Sequence, residues 1–276
     1  MKHREETLIG FDGRELFFQS WEPEGDPRAV IAIVHGGFEH SGHYGFLVDS
    51  LVDKGFALAG LDLRGHGKSK GKRGHIMDWN EIREDMGSYL SKLQKEFPGR
   101  PLFLFGHSVG GTIALDYALR RSPALAGVIL SGAGISTGNA SRVLLTINKL
   151  ISAVFPSFSV DANFDFSIVT RDPRVVKEYE SDPLILSALS ARFWAECLKT
   201  IALVRDHASD WELPLLVLHG SEDQNMPIED IKEFFGDLTC EDKELITYEG
   251  GYHCPYNDLQ KEQVFSDIEK WIDKRS

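Results

Sequence analysis

The sequence predicts an α/β fold, a mostly parallel central sheet flanked by helices, with a helical cap inserted after the sixth strand. Three observations lead there. Short apolar runs without alternation recur between helical stretches, as strands buried on both faces do. One run leads into Gly106-His107-Ser108-Val109-Gly110 and then a helical pattern, giving a strand, a sharp turn and a helix with a serine at the apex. The rhythm then breaks from about Ile135 to Asp210, where no strand-like run occurs and apolar residues recur at helical spacing.

The elements follow in chain order. Between Leu8 and Trp21 the turn residues Phe11-Asp12-Gly13-Arg14 interrupt alternating apolar positions, the pattern of a hairpin, expected at an antiparallel edge. After a linker bounded by Pro23 and Pro27, buried strands are predicted at 30–34, 57–61, 102–105, 128–130, 215–218 and 245–248. Segment 141–155, beginning at Ser141, carries Val143, Ile147, Leu150, Ile151 and Val154 at helical spacing, widened by Leu144 and Leu145. Leu189, Phe193, Cys197, Ile201 and Val204 make a second helical face. Pro156, Pro173 and Pro183 mark the joints. The predicted division is a core of 1–134 and 211–276 with a cap of 135–210.

With 276 residues, 42% of them hydrophobic, the chain can bury a core that needs no disulfides. A formal charge of -12 gives no footprint for nucleic acid and argues against a generally basic membrane-binding surface. Lys68, Lys70, Lys72 and Arg73 form a local exception and read as a solvated loop. The three cysteines, Cys197, Cys240 and Cys254, cannot all pair and show no C-x-x-C spacing, so free thiols in a reducing compartment are expected. Met1-Lys2-His3-Arg4-Glu5-Glu6 lacks the apolar core of a signal peptide, and no run approaches the roughly 18 apolar residues of a membrane span. The expectation is a soluble, cytoplasmic protein.

A serine hydroxyl is a poor nucleophile at neutral pH. It needs an imidazole to take its proton and a carboxylate to orient that imidazole. After a serine elbow these follow in the order acid, then histidine, on loops beyond later strands. Asp223 follows the run from Leu215 and the turn through Gly220 to Glu222, and His253 follows 245–248 in the same way, both where open α/β sheets gather their sites. Glu222 adjoins Asp223, whereas Asp62 precedes Ser108 and is expected to brace the Arg64-Gly65-His66-Gly67 loop. His219 and His207 read as structural. An oxyanion hole needs two backbone N–H groups. Val109, at the start of the helix, and Gly37, in the His35-Gly36-Gly37-Phe38 loop, are the candidates. His35, His40 and His43 lack metal-ligand spacing and read as loop packing, and no nucleotide-binding glycine motif occurs, so neither metal nor cofactor is expected.

With these parts placed, the chain resembles the α/β-hydrolases, and specifically their monoacylglycerol lipase and lysophospholipase branch. The resemblance runs over nearly the whole chain. It is carried by the Glu39-His40-Ser41-Gly42 stretch, Asp62-Leu63-Arg64-Gly65-His66-Gly67, the serine elbow, Ser181-Asp182-Pro183-Leu184-Ile185, and Gly250-Gly251-Tyr252-His253. It implies hydrolysis of a small-molecule acyl ester, with a long apolar tail under the cap and a small polar headgroup near Ser108. Glu39, His107 and Tyr179 match positions around the glycerol end. His43 stands where the family usually has an arginine, a loss of a fixed multi-donor charge, and the cysteine that mammalian relatives carry beside the acid is absent at Asp223. A transient membrane-surface contact of the cap through Leu144, Leu145 and Phe155 is a further expectation.

Overall fold

The computed structural model describes residues 1–121, 124–136 and 142–276. Its strands are β1 (Lys2–Ile9), β2 (Glu15–Glu22), β3 (Val30–Val34), β4 (Ala57–Leu61), β5 (Leu102–His107), β6 (Gly127–Ser131), β7 (Leu215–Gly220) and β8 (Lys243–Tyr248). They form one eight-stranded sheet in the order β1-β2-β4-β3-β5-β6-β7-β8. β1 and β2 make the predicted hairpin and run antiparallel at one edge, and every other pairing from β4 to β8 is parallel. The structure thus has the predicted fold class.

The helices are α1 (Gly45–Asp53), α2 (Trp79–Glu96), α3 (Val109–Arg121), α4 (Arg142–Val154), α5 (Pro173–Ser181), α6 (Ala191–Asp206), α7 (Ile228–Asp237) and α8 (Lys261–Asp273). Alternate strand residues feed opposite cores. Val30, Ala32 and Leu104 pack with α2, α3 and α7 residues such as Met86, Ile113 and Phe234. Ile31, Ile33 and Phe105 pack with Leu47 of α1 and Phe265 and Trp271 of α8. Burial on both faces is why these strands lack alternation.

Between β6 and β7 lie α4, α5 and α6, each begun by local signals where these are described. The Asp172 carboxylate caps α5 by accepting from Arg174 N, with Pro173 at its first position, and Ser190 Oγ caps α6 by accepting from Phe193 N. The predicted face Leu189, Phe193, Cys197, Ile201 and Val204 is buried in the core. The α4 stripe behaves differently. The predicted start at Ser141 and the side chain of Val143 lie outside the described residues. Ile147, Leu150 and Val154, with Leu144, point to solvent at 46–69% exposure, while Asn148 and Ser152 take the inward side. Helical period alone does not say which way an apolar stripe turns. No helix among the described residues is long and apolar enough to cross a membrane.

Candidate active site

β5 ends at His107 and α3 begins at Val109, so Ser108 alone makes the turn between them. Its φ of 50° lies in the left-handed region that residues with a Cβ avoid. The flanking glycines make this turn possible. A Cβ on Gly106 would lie 2.5 Å from Gly110 O, and one on Gly110 would lie 2.1 Å from Val34 O.

Parallel pairing gathers the other groups around this turn. β3 runs beside β5 with Val34 opposite Gly106, so the 35–38 loop emerges next to Ser108. β7 and β8 pair with Gly220 opposite Tyr248, and the loops beyond them meet: His253 Nδ1–H donates to Asp223 Oδ2 at 2.8 Å. Asp223 Oδ1 accepts from the Asn225 and Met226 amides at 2.8 and 3.0 Å. Burial alone would raise the Asp223 pKa, but the charge of and hydrogen bond from His253 hold it below the ordinary carboxylate value. Ser108, His253, Gly37 and Val109 line a common cavity of about 120 Å³.

The alternatives are placed elsewhere. Glu222 is exposed, and His207 sits at the surface against Asp210. His219 lies 3.4 Å from Asp223 Oδ2 but is held by Met226 O, 2.8 Å from its Nε2. Asp62 braces its loop as expected, accepting from Lys68 N and also from the amide and hydroxyl of Ser41. In the basic cluster, Lys68 pairs with Glu5, and Arg73 donates to Gly67 O and Leu184 O.

Glu39, His107 and Tyr179 line the Ser108 cavity. Glu39 is a buried carboxylate that accepts from Gly36 N at 2.7 Å, Tyr44 OH at 2.6 Å and Tyr179 OH at 3.3 Å. Burial opposes its ionisation, yet His107, His43 and the hydrogen bonds from Tyr44 and Gly36 outweigh it and lower the pKa to about 2. His107 donates from Nδ1 to Ser131 O and faces the Cys254 thiol, 3.3 Å from Nε2; burial lowers its pKa to about 4.

His43 lines a neighbouring cavity of about 180 Å³, with Tyr179 shared between the two. Its Nε2 meets Asp182 Oδ2 at 3.0 Å, and His40 Nε2 meets the same oxygen at 2.9 Å. The three donor atoms lie close enough to suggest coordination. However, His40 Nδ1 accepts from Gly42 N, which places the ring proton on Nε2, directed at Asp182. The cluster is a hydrogen-bonded tie between the 40–43 turn and the segment after α5.

Sequence reasoning missed three contributors. Asp182 lies 142 residues from His40, and its place in the Ser-Asp-Pro-Leu-Ile motif is the one local signal it carries. Cys254 lines the Ser108 cavity, and its adjacency to His253 was the available signal. Trp194 lies one residue from the buried stripe of α6 and forms a wall shared by this cavity and a second, apolar one of about 380 Å³. That second cavity also begins at Ser108 and runs past Leu145, Cys197, Leu198 and Ile201.

The family model described as Serine aminopeptidase, S33, matches residues 25–260. The chain is 31% identical to the monoacylglycerol lipase of Mycolicibacterium smegmatis over 97% of its own length and 96% of the relative's. It is 32% identical to the human monoglyceride lipase over 98% and 90% of the two chains. Among solved structures it is similar to the Paleococcus ferrophilus monoacylglycerol lipase, with a TM-score of 0.84, 28% identity and full coverage of both chains. Strand order, serine elbow and these matches over nearly the whole length agree: the chain belongs to the α/β-hydrolase family, in the branch of the monoacylglycerol lipases.

Proposed function

We propose that the protein is a serine ester hydrolase that cleaves monoacylglycerol- or lysophospholipid-type esters through an acyl-enzyme. The observation that carries this reading is Ser108, held at φ 50° on the same cavity as the His253–Asp223 pair. Ser108 Oγ attacks the ester carbonyl and His253 takes its proton. Asp223 holds the imidazole in the Nδ1–H tautomer, and the Gly37 and Val109 amides receive the oxyanion. His253 then returns the proton to the leaving alcohol, and water repeats the sequence to release the acid. The relatives named monoacylglycerol and monoglyceride lipases support this ester class. Intact-mass spectrometry after fluorophosphonate treatment tests it: one adduct on wild type, none on Ser108→Ala. A Ser108→Ala protein that still takes the adduct would place the nucleophile elsewhere.

The two cavities divide the substrate. The apolar one of about 380 Å³ takes the acyl chain, being within the range of ligand pockets. The end walled by Glu39, Tyr179 and His107 takes the polar headgroup. Each added methylene that enters the apolar cavity is worth up to about 0.8 kcal/mol. On p-nitrophenyl esters, kcat/KM should therefore rise from acetyl to octanoyl, by up to about 3,000-fold if all six added methylenes enter the cavity. Leu198→Trp, which fills part of that cavity, should move the optimum to shorter chains. A strict preference for acetyl would favour a small-ester carboxylesterase instead.

The outward apolar residues of α4 and the segment after it, Leu144, Ile147, Leu150, Val154, Phe155 and Phe158, suit a transient contact with a lipid surface, with α4 lying in the interface. Leu150→Glu with Val154→Glu should reduce co-sedimentation with phosphatidylcholine vesicles several-fold. Turnover of a water-soluble short ester should stay unchanged. Equal sedimentation of variant and wild type would remove the membrane role.

A further inference from the structure

Two consecutive glycines carry the proposed oxyanion loop, and buried side chains hold its backbone. Gly36 N–H donates to Glu39 Oε1 at 2.7 Å, and Gly36 O accepts from His35 Nδ1 at 2.7 Å. His35 Nε2 in turn accepts from Leu63 N at 2.9 Å, so that ring is fully satisfied as one neutral tautomer. Gly37 O lies 2.9 Å from His66 Nε2. Among the described residues, Gly37 N–H is the backbone polar group of the pair with no protein partner. A glycine pair has no Cβ to restrict its own φ and ψ; His35, through Gly36 O, holds the peptide plane that carries the Gly37 N–H from one side, and the grip on Gly37 O fixes it from the other.

His66 is completely buried and takes no part in the proton transfers above. Its Nδ1 lies 3.0 Å from Arg64 O while Nε2 faces Gly37 O. A neutral imidazole has one proton to give to these two carbonyls. Arg64 is held in place independently of His66, because its side-chain Nε–H donates to the buried Asp85 carboxylate at 2.7 Å, a bond that fixes the segment but not its carbonyl. The Gly37 carbonyl has no comparable second anchor among the described residues.

We infer that His66 is a positioning residue of the ester-hydrolysis machinery: its Nε2–H holds Gly37 O and thereby aims the Gly37 N–H at the developing oxyanion. This rests on the reading of Gly37 as an oxyanion donor. Three substitutions separate the two ring nitrogens. The side-chain amide of His66→Gln reaches the Nε2 position and keeps the donor to Gly37 O. That of His66→Asn reaches only the Nδ1 position, and His66→Ala removes both.

The assay is hydrolysis of p-nitrophenyl butyrate, with kcat expressed per site titrated by fluorophosphonate. Removing an oxyanion donor outright costs about 10²- to 10³-fold in kcat, so a donor left misaimed should cost about 10- to 100-fold. His66→Asn and His66→Ala should show that loss with KM nearly unchanged. Their inhibition constant for butylboronic acid, which forms a tetrahedral adduct on the serine, should rise by the same factor. His66→Gln should stay within about threefold of wild type. Equal losses in the Gln and Asn variants, or unchanged kcat per titrated site alongside a lower Tm, would overturn the inference and leave His66 a structural residue. If the Asn and Ala variants fail to fold, ¹⁵N-detected NMR of the wild-type imidazoles decides. A proton on Nε2 of His66 supports the inference, and one on Nδ1 overturns it. A failure of the oxyanion-loop reading itself is told apart by Gly37→Pro, which removes that N–H: unchanged Ser108-dependent turnover there would displace Gly37, whatever His66 does.

Discussion

Ser108→Ala and His253→Ala should each lower kcat on p-nitrophenyl butyrate by about 10⁴- to 10⁶-fold, and the double variant should fall no further. The loss is shared because each residue is useless without the other. The hydroxyl is a nucleophile only while an imidazole takes its proton, and the imidazole has no other proton to move in acylation. Asp223→Asn should cost about 10³- to 10⁴-fold, since an amide in place of Oδ2, now 2.8 Å from His253 Nδ1, no longer selects the tautomer. KM should change little in all of these, because none of the three side chains is needed to hold the acyl chain. Steady-state kinetics of the single and double variants decide the matter. A His253→Ala enzyme within tenfold of wild type would mean another base acts, and His219, 3.4 Å from Asp223, would be the one to test.

Acid should begin to destabilise the protein well above the range where carboxylates titrate. His66 and His107 are buried, and burial lowers their pKa values to about 3 and about 4. A histidine in the unfolded chain titrates near 6.5. Below that pH the unfolded state binds protons that the folded state refuses, so stability falls as pH falls. The contribution is fully present above about pH 7 and is lost downward from about 6.5 toward each folded value. Each ring costs about 1.4 kcal/mol per pH unit over that window. Two rings cost about 5 kcal/mol between pH 6 and 4, comparable with the whole stability of a typical domain. Glu39 and Asp182, both lowered to about 2, carry the same sign but act only below about pH 4.3. Thermal melts from pH 7.5 to 4 should show Tm falling steadily from near pH 6.5, with a shallower fall in His107→Gln. A Tm that stayed level down to pH 4.5 would mean the two rings accept protons while folded.

Much of the core was legible because its signals are local. The strands predicted at 30–34 and 57–61 end where β3 and β4 end. The one predicted at 102–105 runs on through Gly106 and His107, because Val34 and Ser131 on either side supply pairing partners that hydropathy does not register. The serine elbow was legible for the same local reason: the need for glycine at 106 and 110 comes from contacts with Gly110 O and Val34 O that any such turn creates. The α6 face was readable as buried, whereas α4, with an equally regular stripe, turns Leu144, Ile147, Leu150 and Val154 outward.

By itself the sequence determined the sheet, the serine elbow and the order of the candidate triad, since each is written in periodicity or in a turn whose sterics span only a few residues. Only the tertiary structure decided what those parts touch. It put His43 behind Tyr179, tied His40 and His43 to one carboxylate of Asp182, set Cys254 against His107, and laid His66 on the carbonyl of Gly37. These contacts join residues 29 to 147 positions apart. Their formation depends on where parallel strands deliver their loops, a consequence of the assembled sheet that no short window of sequence contains.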